Sequence, residues 1–180
     1  MRWIFLLFVS FSPLFAKPSQ VILVRHAEKS ASNQHLSLRG RQRAAALCPY
    51  FLGSPTTLQF GTPTAIYAMK VNRDPAALSC QQSMLCLAEE LDLPLQNSYG
   101  AGDEDSMVTE IIENEEYEGK MVLICWSNRE LPHIASLLGA TRAPKKWPDN
   151  VYDRLWIINL SEGVTTENTP QKLLYGDSNR

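Results

Sequence analysis

Val21-Ile22-Leu23-Val24 is a short apolar, β-branched run that ends abruptly in Arg25-His26-Ala27-Glu28-Lys29. A strand buried on both faces reads this way, as a continuous apolar stretch bounded by polar residues, and parallel sheets are built from such strands. Open α/β sheets bind their ligands at the carboxyl ends of the strands. The pattern therefore predicts that Arg25 and His26 stand where such a fold performs chemistry. Arginine presents a planar fork of donors that grips phosphate or another oxyanion. Histidine can act as a nucleophile near neutral pH. Together they predict a bound phosphate beside an imidazole able to attack it.

The rest of the chain alternates strand and helix signals. Gln20 to Val24 is the first predicted strand. Ser37 can cap a helix that runs through Arg43-Ala44-Ala45-Ala46-Leu47 toward Phe51. Ala65 to Ala68 reads as a second strand. Pro75-Ala76-Ala77 suits a helix start, with the helix reaching Leu91. A further helix begins at Asp105 or Ser106 and passes through Met107, Ile111 and Ile112. Met121 to Trp126 is a third strand, Leu131 to Leu138 a helix closed by Gly139, and Tyr152 to Leu160 the last strand. Strands alternating with helices imply an α/β three-layer sandwich, a mostly parallel sheet with helices on both faces.

The chain has 180 residues, enough for one domain with a full core, and a formal net charge of −2 that argues against a general nucleic-acid binder. The first residues read as an export signal. Arg2 supplies positive charge, Trp3 to Phe15 is an apolar stretch interrupted by Ser10, Ser12 and Pro13, and Ala16 suits a cleavage site. The division expected is a signal peptide over 1–16 and a single domain over 17–180, leading to a periplasmic or secreted protein with no stable membrane span after cleavage. The apolar stretch is shorter than the roughly 20 residues a bilayer requires. An uncleaved anchor or a buried first helix is the competing reading.

Export would permit disulfides among Cys48, Cys80, Cys86 and Cys125. Cys80 and Cys86 share one predicted helix, and six residues at about 1.5 Å each separate them by about 9 Å, beyond the roughly 7 Å limit for a bridge. Cys125 closes an interior strand and reads as a buried free thiol. The only histidines are His26, His35 and His133. Neither their number nor the cysteine spacing supports a zinc site, so no metal and no cofactor is expected.

Beyond these physical readings, Arg25-His26-Ala27-Glu28 after an apolar strand resembles the signature of the histidine phosphatase superfamily, the phosphoglycerate-mutase-like proteins. Leu36-Ser37-Leu38-Arg39-Gly40-Arg41-Gln42-Arg43-Ala44 resembles the start of the helix that follows that strand. Val122-Leu123-Ile124-Cys125-Trp126 resembles the strand carrying the second active-site histidine, with Leu131-Pro132 and Leu138-Gly139-Ala140 in the helix beyond it. Trp147-Pro148-Asp149-Asn150-Val151-Tyr152-Asp153-Arg154-Leu155-Trp156 resembles the closing strand of an exported bacterial branch, and Pro170 to Asp177 its tail. The resemblance runs in order from Ser19 onward.

It implies metal-independent hydrolysis of a phosphomonoester through a phosphohistidine, with His26 as nucleophile and Arg25 binding phosphate. It also implies a second arginine and a second histidine, and both are replaced. Gln82-Ser83 stands where a Gln-Thr pair is expected, and the second arginine falls at about Ser79. A Cys-Trp-x-His pattern reads Cys125-Trp126-Ser127-Asn128. Asn128 either donates one neutral hydrogen bond to phosphate or caps the turn before Arg129-Glu130. Lys70 and Arg73 are candidates to supply the lost charge, and Arg129 is either a further one or a surface residue. Glu28 either orients Arg25 or is solvated. His133 is expected on a helix facing elsewhere. The Asp103-Glu104-Asp105 run is either a source of a catalytic proton or a solvated helix face.

Two functions fit. One is a phosphomonoesterase of reduced or altered activity acting on a phosphorylated small molecule or another phosphomonoester. The other is a catalytically inactive relative that binds a phosphorylated or anionic ligand or a protein partner. Specificity would lie in the loops Leu52 to Pro63 and Leu95 to Asp103, and nothing in the sequence speaks to the oligomeric state.

Overall fold

A computed structural model describes residues 17–31, 35–71, 74 and 76–178. The expected signal peptide, residues 1–16, lies outside the described residues, as do Arg73 and Pro75. The strands are β1 (Gln20–Arg25), β2 (Pro63–Ala68), β3 (Leu95–Gln96), β4 (Met121–Trp126), β5 (Arg154–Asn159) and β6 (Thr165–Pro170). The helices are α1 (Leu38–Gly53), α2 (Ala77–Glu90), α3 (Glu104–Glu113) and α4 (Leu131–Leu137). A short 3₁₀ turn, Glu115–Tyr117, joins α3 to β4.

The strands form one six-stranded sheet in the order β3-β2-β4-β1-β5-β6. β1, β2, β3 and β4 run parallel, whereas β5 and β6 add an antiparallel edge. β1 lies at the centre, with Val24 paired to Cys125 on one side and to Leu155 on the other. Every residue of β1 and β4 is buried, so both faces of the sheet are covered by helices. α2 packs against α1 and onto β2 and β4, while α3 packs on α4 and α4 contacts β1. This is the expected α/β sandwich. Among the described residues no helix is long and apolar enough to cross a membrane.

Two strands depart from the pattern that sequence reading uses. β6, Thr-Thr-Glu-Asn-Thr-Pro, carries no apolar alternation because it is an edge strand, largely exposed, and held by its ladder with β5. β3 has only two residues and exists through its pairing with Ile66 and Tyr67.

α1 starts as its sequence predicts. The Ser37 side chain accepts a hydrogen bond from the Gly40 amide at 3.1 Å. The same residue bonds backward, its amide and hydroxyl both donating to the Glu28 carbonyl at 2.8 and 3.1 Å. Gly40 is required here for space, since a Cβ at that position would lie 2.1 Å from the Glu28 carbonyl oxygen. The first turn of α1 is thus pressed directly onto the loop that follows β1. Gly40→Ala is expected to destabilise the fold by about 2–3 kcal/mol through this backbone clash. The check is a lowered urea midpoint at unchanged slope.

Candidate active site

The parallel register sets where the first candidates stand. β1 and β4 end together, Arg25 opposite Trp126, and the chain leaves β1 with the His26 amide donating to the Trp126 carbonyl at 3.2 Å. The next amide, Ala27, donates to Ser83 Oγ at 2.8 Å, and Ser83 Oγ donates on to the Ser79 carbonyl at 2.7 Å. Glu28 is fixed by the start of α1. Three consecutive residues are therefore held by three different elements: β4, α2 and α1. Ser83 is a helix contact that anchors the loop, and Gln82 does the same beside it, accepting from the Leu36 amide at 3.0 Å. Ser79, where a second arginine was expected, is fully buried within α2.

His26 is 1% exposed. Its Nδ1 lies 2.7 Å from the Ala27 carbonyl oxygen, which can only accept, so Nδ1 carries the proton and the lone pair resides on Nε2. Burial lowers the imidazole pKa to about 4, with the Ala27 carbonyl opposing and the nearby Arg25 charge assisting. The ring is thus neutral and in the tautomer that a nucleophile attacking through Nε2 requires.

Arg25 is buried as well, and its partners were not foreseen. Nη1 donates to the carbonyl oxygens of Pro148, Asp149 and Val151 at 3.2, 2.7 and 3.0 Å. Nη2 donates to the Tyr152 hydroxyl at 3.1 Å, and the guanidinium carbon sits 3.8 Å from the centre of the Tyr152 ring. Tyr152 also meets the His26 ring edge-on, with 5.9 Å between centroids. Burial lowers the Arg25 pKa, against the attraction of Tyr152 and Asp149. One donor remains. Arg25 Nε is buried and has no hydrogen-bond partner. The Trp147-to-Tyr152 segment, read from sequence as strand, is in fact a cage around Arg25. Its clue was the turn-forming Pro148-Asp149-Asn150 cluster. The cage is rigid, because Trp147 Nε1 donates to the Val151 carbonyl at 2.9 Å and the Trp147 ring packs 4.7 Å from that of Trp156.

Asn128 faces the same cage. Its Nδ2 donates to Asp149 Oδ1 at 2.8 Å, so the asparagine is already engaged and brings a carboxylate into the site rather than a second cation. Arg129 pairs with Asp74 at 2.9 Å, and Asp74 accepts from the Ala76 amide ahead of α2. Its charge is thereby neutralised at the rim. Lys70 is exposed two residues beyond β2, at the same sheet edge. His133 lies on α4 and pairs with Asp105 at 3.1 Å, away from the site as expected.

Glu28 neither orients Arg25 nor stands in solvent. It accepts from Arg43, Nη2 at 2.8 Å and Nε at 3.0 Å, and from Arg39 at 3.1 Å. Arg43, 1% exposed, reaches across to Asp177 at 2.8 Å and to Gln171 at 3.1 Å. Neither Arg43 nor Asp177 stood out in the sequence, because 134 positions separate them and only the fold reveals the pair. The three acidic candidates at the start of α3 are also occupied. Asp103 accepts from the Gly100 amide, Asp105 pairs with His133, and the buried Glu104 accepts from Trp126 Nε1 at 3.1 Å and from the Gly102 amide.

Among the described residues no cluster of His, Cys, Asp or Glu could hold a metal ion. The chemistry this arrangement can perform is nucleophilic, by a neutral imidazole beside a caged guanidinium.

Neither a family model nor a curated relative matches the sequence. Solved structures do match. A protein histidine phosphatase, SixA, in complex with tungstate is 17% identical with a TM-score of 0.56, covering 84% of this chain and 97% of its own. An alpha-ribazole phosphatase from Shigella flexneri is 13% identical with a TM-score of 0.55, covering 84% and 96%. A mycobacterial glucosyl-3-phosphoglycerate phosphatase is 10% identical with a TM-score of 0.53, covering 84% and 97%. At these identities the likeness establishes the fold, which is phosphoglycerate-mutase-like.

Burial pushes the Asp177 carboxyl up, but hydrogen bonds from Arg43 and from the Leu174 and Leu173 amides outweigh it and hold the group at about 2, below its ordinary 3.8. A depressed carboxyl stabilises the fold above the unfolded value and loses that contribution as pH falls through the folded one. Wild type should lose about 2 kcal/mol between pH 3.8 and 2 from this group. Asp177→Asn should cost about 2–4 kcal/mol at neutral pH by leaving Arg43 short of one anion. It should also flatten that acid window, read by urea unfolding at stepped pH.

Proposed function

We propose that this chain, whose fold is that of the histidine phosphatases named above, is a weak phosphomonoesterase that works through a phosphohistidine on His26. The observation that carries the reading is the pairing of a neutral His26, lone pair on Nε2, with the buried and unpartnered Nε–H of Arg25. An unsatisfied donor on a buried charged group costs at least about 1–3 kcal/mol, and such groups tend to mark functional sites. A phosphate oxygen at Nε would satisfy it and present phosphorus to the imidazole.

In the proposed step, Nε2 attacks phosphorus, the bond to the leaving oxygen breaks, and the phosphoryl group rests on His26. Water then attacks phosphorus and restores the free imidazole and inorganic phosphate. With Nη1 committed to three carbonyls, little of the Arg25 guanidinium is left to neutralise the equatorial oxygens, and each lost donor commonly costs about 10²–10³ in rate. The carboxylates at the start of α3 are engaged elsewhere, and in the proposed step the leaving group receives its proton from solvent. Esters with acidic leaving groups are favoured accordingly, since a positioned acid is worth about 10²–10⁴. Export through residues 1–16 belongs to the same proposal and is supported by their signal-like pattern.

A second reading has its own support. Nη1 of Arg25 is committed to three carbonyls, and Asn128 brings the Asp149 carboxylate into the site. A pocket so disposed suits retention of an anion without turnover.

Phosphate release from p-nitrophenyl phosphate separates the two. The enzyme reading expects slow hydrolysis that falls to background in His26→Ala. It also expects at least about 10²-fold slower release from an alkyl phosphate, and a rate that declines only below about pH 4, where His26 takes up its proton. No release above the His26→Ala background, with vanadate binding that Arg25→Ala abolishes, decides for the non-catalytic reading.

A further inference from the structure

Tyr152 touches both members of the site. Its hydroxyl oxygen accepts from Arg25 Nη2 at 3.1 Å, and its ring centre lies 3.8 Å from the guanidinium carbon. The same ring meets the His26 imidazole edge-on, with 5.9 Å between centroids. The backbone is fixed on either side of it. The Val151 carbonyl before it accepts from Arg25 Nη1 at 3.0 Å and from Trp147 Nε1 at 2.9 Å. The Asp153 carbonyl after it accepts from the Gln171 amide at 2.8 Å, and the Asp153 carboxylate accepts from the Ser178 amide. β5 begins at the next residue, Arg154. Tyr152 therefore stands on a clamped stretch of chain, with its side chain half-buried.

A phenol has one hydrogen to donate and lone pairs with which to accept, whereas a guanidinium can only donate. The bond with Arg25 consequently uses a lone pair of the phenol and leaves the hydroxyl hydrogen unspent. That hydrogen meets no acceptor among the described residues. A hydroxyl whose oxygen accepts from a cation is polarised by it and donates more strongly. Beside it, Arg25 Nε–H is buried and also without a partner. Nη2 and Nε share one carbon, so the two open donors are close neighbours.

We propose that Tyr152 is a phosphate-binding residue, its hydroxyl donating to an oxygen of the phosphoryl group held at Arg25 Nε beside His26. This deepens the phosphate-site reading above and rests on it. Asn128 supplies no charge because it is engaged with Asp149 Oδ1 at 2.8 Å, and the phenol fills part of the place a second cation would take. A neutral donor is roughly half as strong as a charged one, so the replacement holds an anion better than it stabilises the spreading charge of a transferring phosphoryl group. The ring does a separate service, since it covers one face of the guanidinium whether or not an anion is bound.

The test measures vanadate binding to the folded full chain at neutral pH. Four forms are compared: wild type, Arg25→Ala, Tyr152→Phe and a chain with 3-fluorotyrosine in place of Tyr152. Tyr152→Phe keeps the ring over the guanidinium and against His26 and removes only the hydroxyl. It should weaken vanadate binding by about three- to tenfold. Fluorine makes a phenol a stronger donor and a weaker acceptor, so the fluorinated chain separates the two roles. A hydroxyl that donates to the anion gives tighter binding than wild type, whereas one that only accepts from Arg25 does not. Binding that Arg25→Ala abolishes, but that Tyr152→Phe leaves unchanged or tighter, or that 3-fluorotyrosine fails to tighten, overturns the proposal and leaves the Arg25 site standing. Binding that survives Arg25→Ala, or none in wild type, overturns both.

Discussion

The structure around the site depends on the double ion pair of Arg43. A guanidinium this deeply buried is costly unless anions surround it. Glu28 and Asp177 supply them, the first from the loop that carries His26 and the second from the tail. Because the fork geometry of arginine admits carboxylates only along its edges, both anions are confined to narrow positions. Three segments are thereby tied together: the loop after β1, the first turns of α1 and the tail after β6. Gly40 allows the helix to approach closely enough for Arg43 to reach in.

Arg25 illustrates the opposite solution to a buried charge. No carboxylate bonds it directly. Backbone carbonyl dipoles and an aromatic face solvate it, and they leave its Nε edge free. A guanidinium held by neutral groups keeps its full charge for an incoming anion, whereas one paired to a carboxylate has already spent it. The proximity of Asp149 tempers this, and it does so because Asn128 stands where a cation was expected. The guanidinium thus keeps a buried Nε without a partner while a carboxylate stands close to the same cage.

Much of this architecture is legible in the residues. The apolar runs Val21–Val24 and Met121–Trp126 announce buried parallel strands, Ser37 announces the start of α1, and the polar residues after Val24 mark the carboxyl end of β1. What stays hidden has physical causes. β6 is polar because it is an edge held by backbone bonds, and β3 is too short to carry a period. The Arg25 cage is made of carbonyl oxygens, which every residue possesses and no sequence pattern distinguishes. The partnership of Arg43 with Asp177 spans 134 positions and is created by the fold alone. Glu28 was misread for the same reason, since the arginine nearest to it in sequence is Arg25 and its partners in space are Arg43 and Arg39.

The tail contact carries a consequence for the order of assembly. Glu28 and Arg43 leave the ribosome early, and Asp177 follows 134 residues after Arg43. At about 5–20 residues per second, that interval is roughly 7–27 s. During it the nascent chain holds a cation that has one of its two counter-ions and cannot yet be buried comfortably. The loop after β1 is therefore among the last parts of the molecule to set. Until the tail arrives, the loop after β1 and the start of α1 lack one of the two anions that hold Arg43 between them.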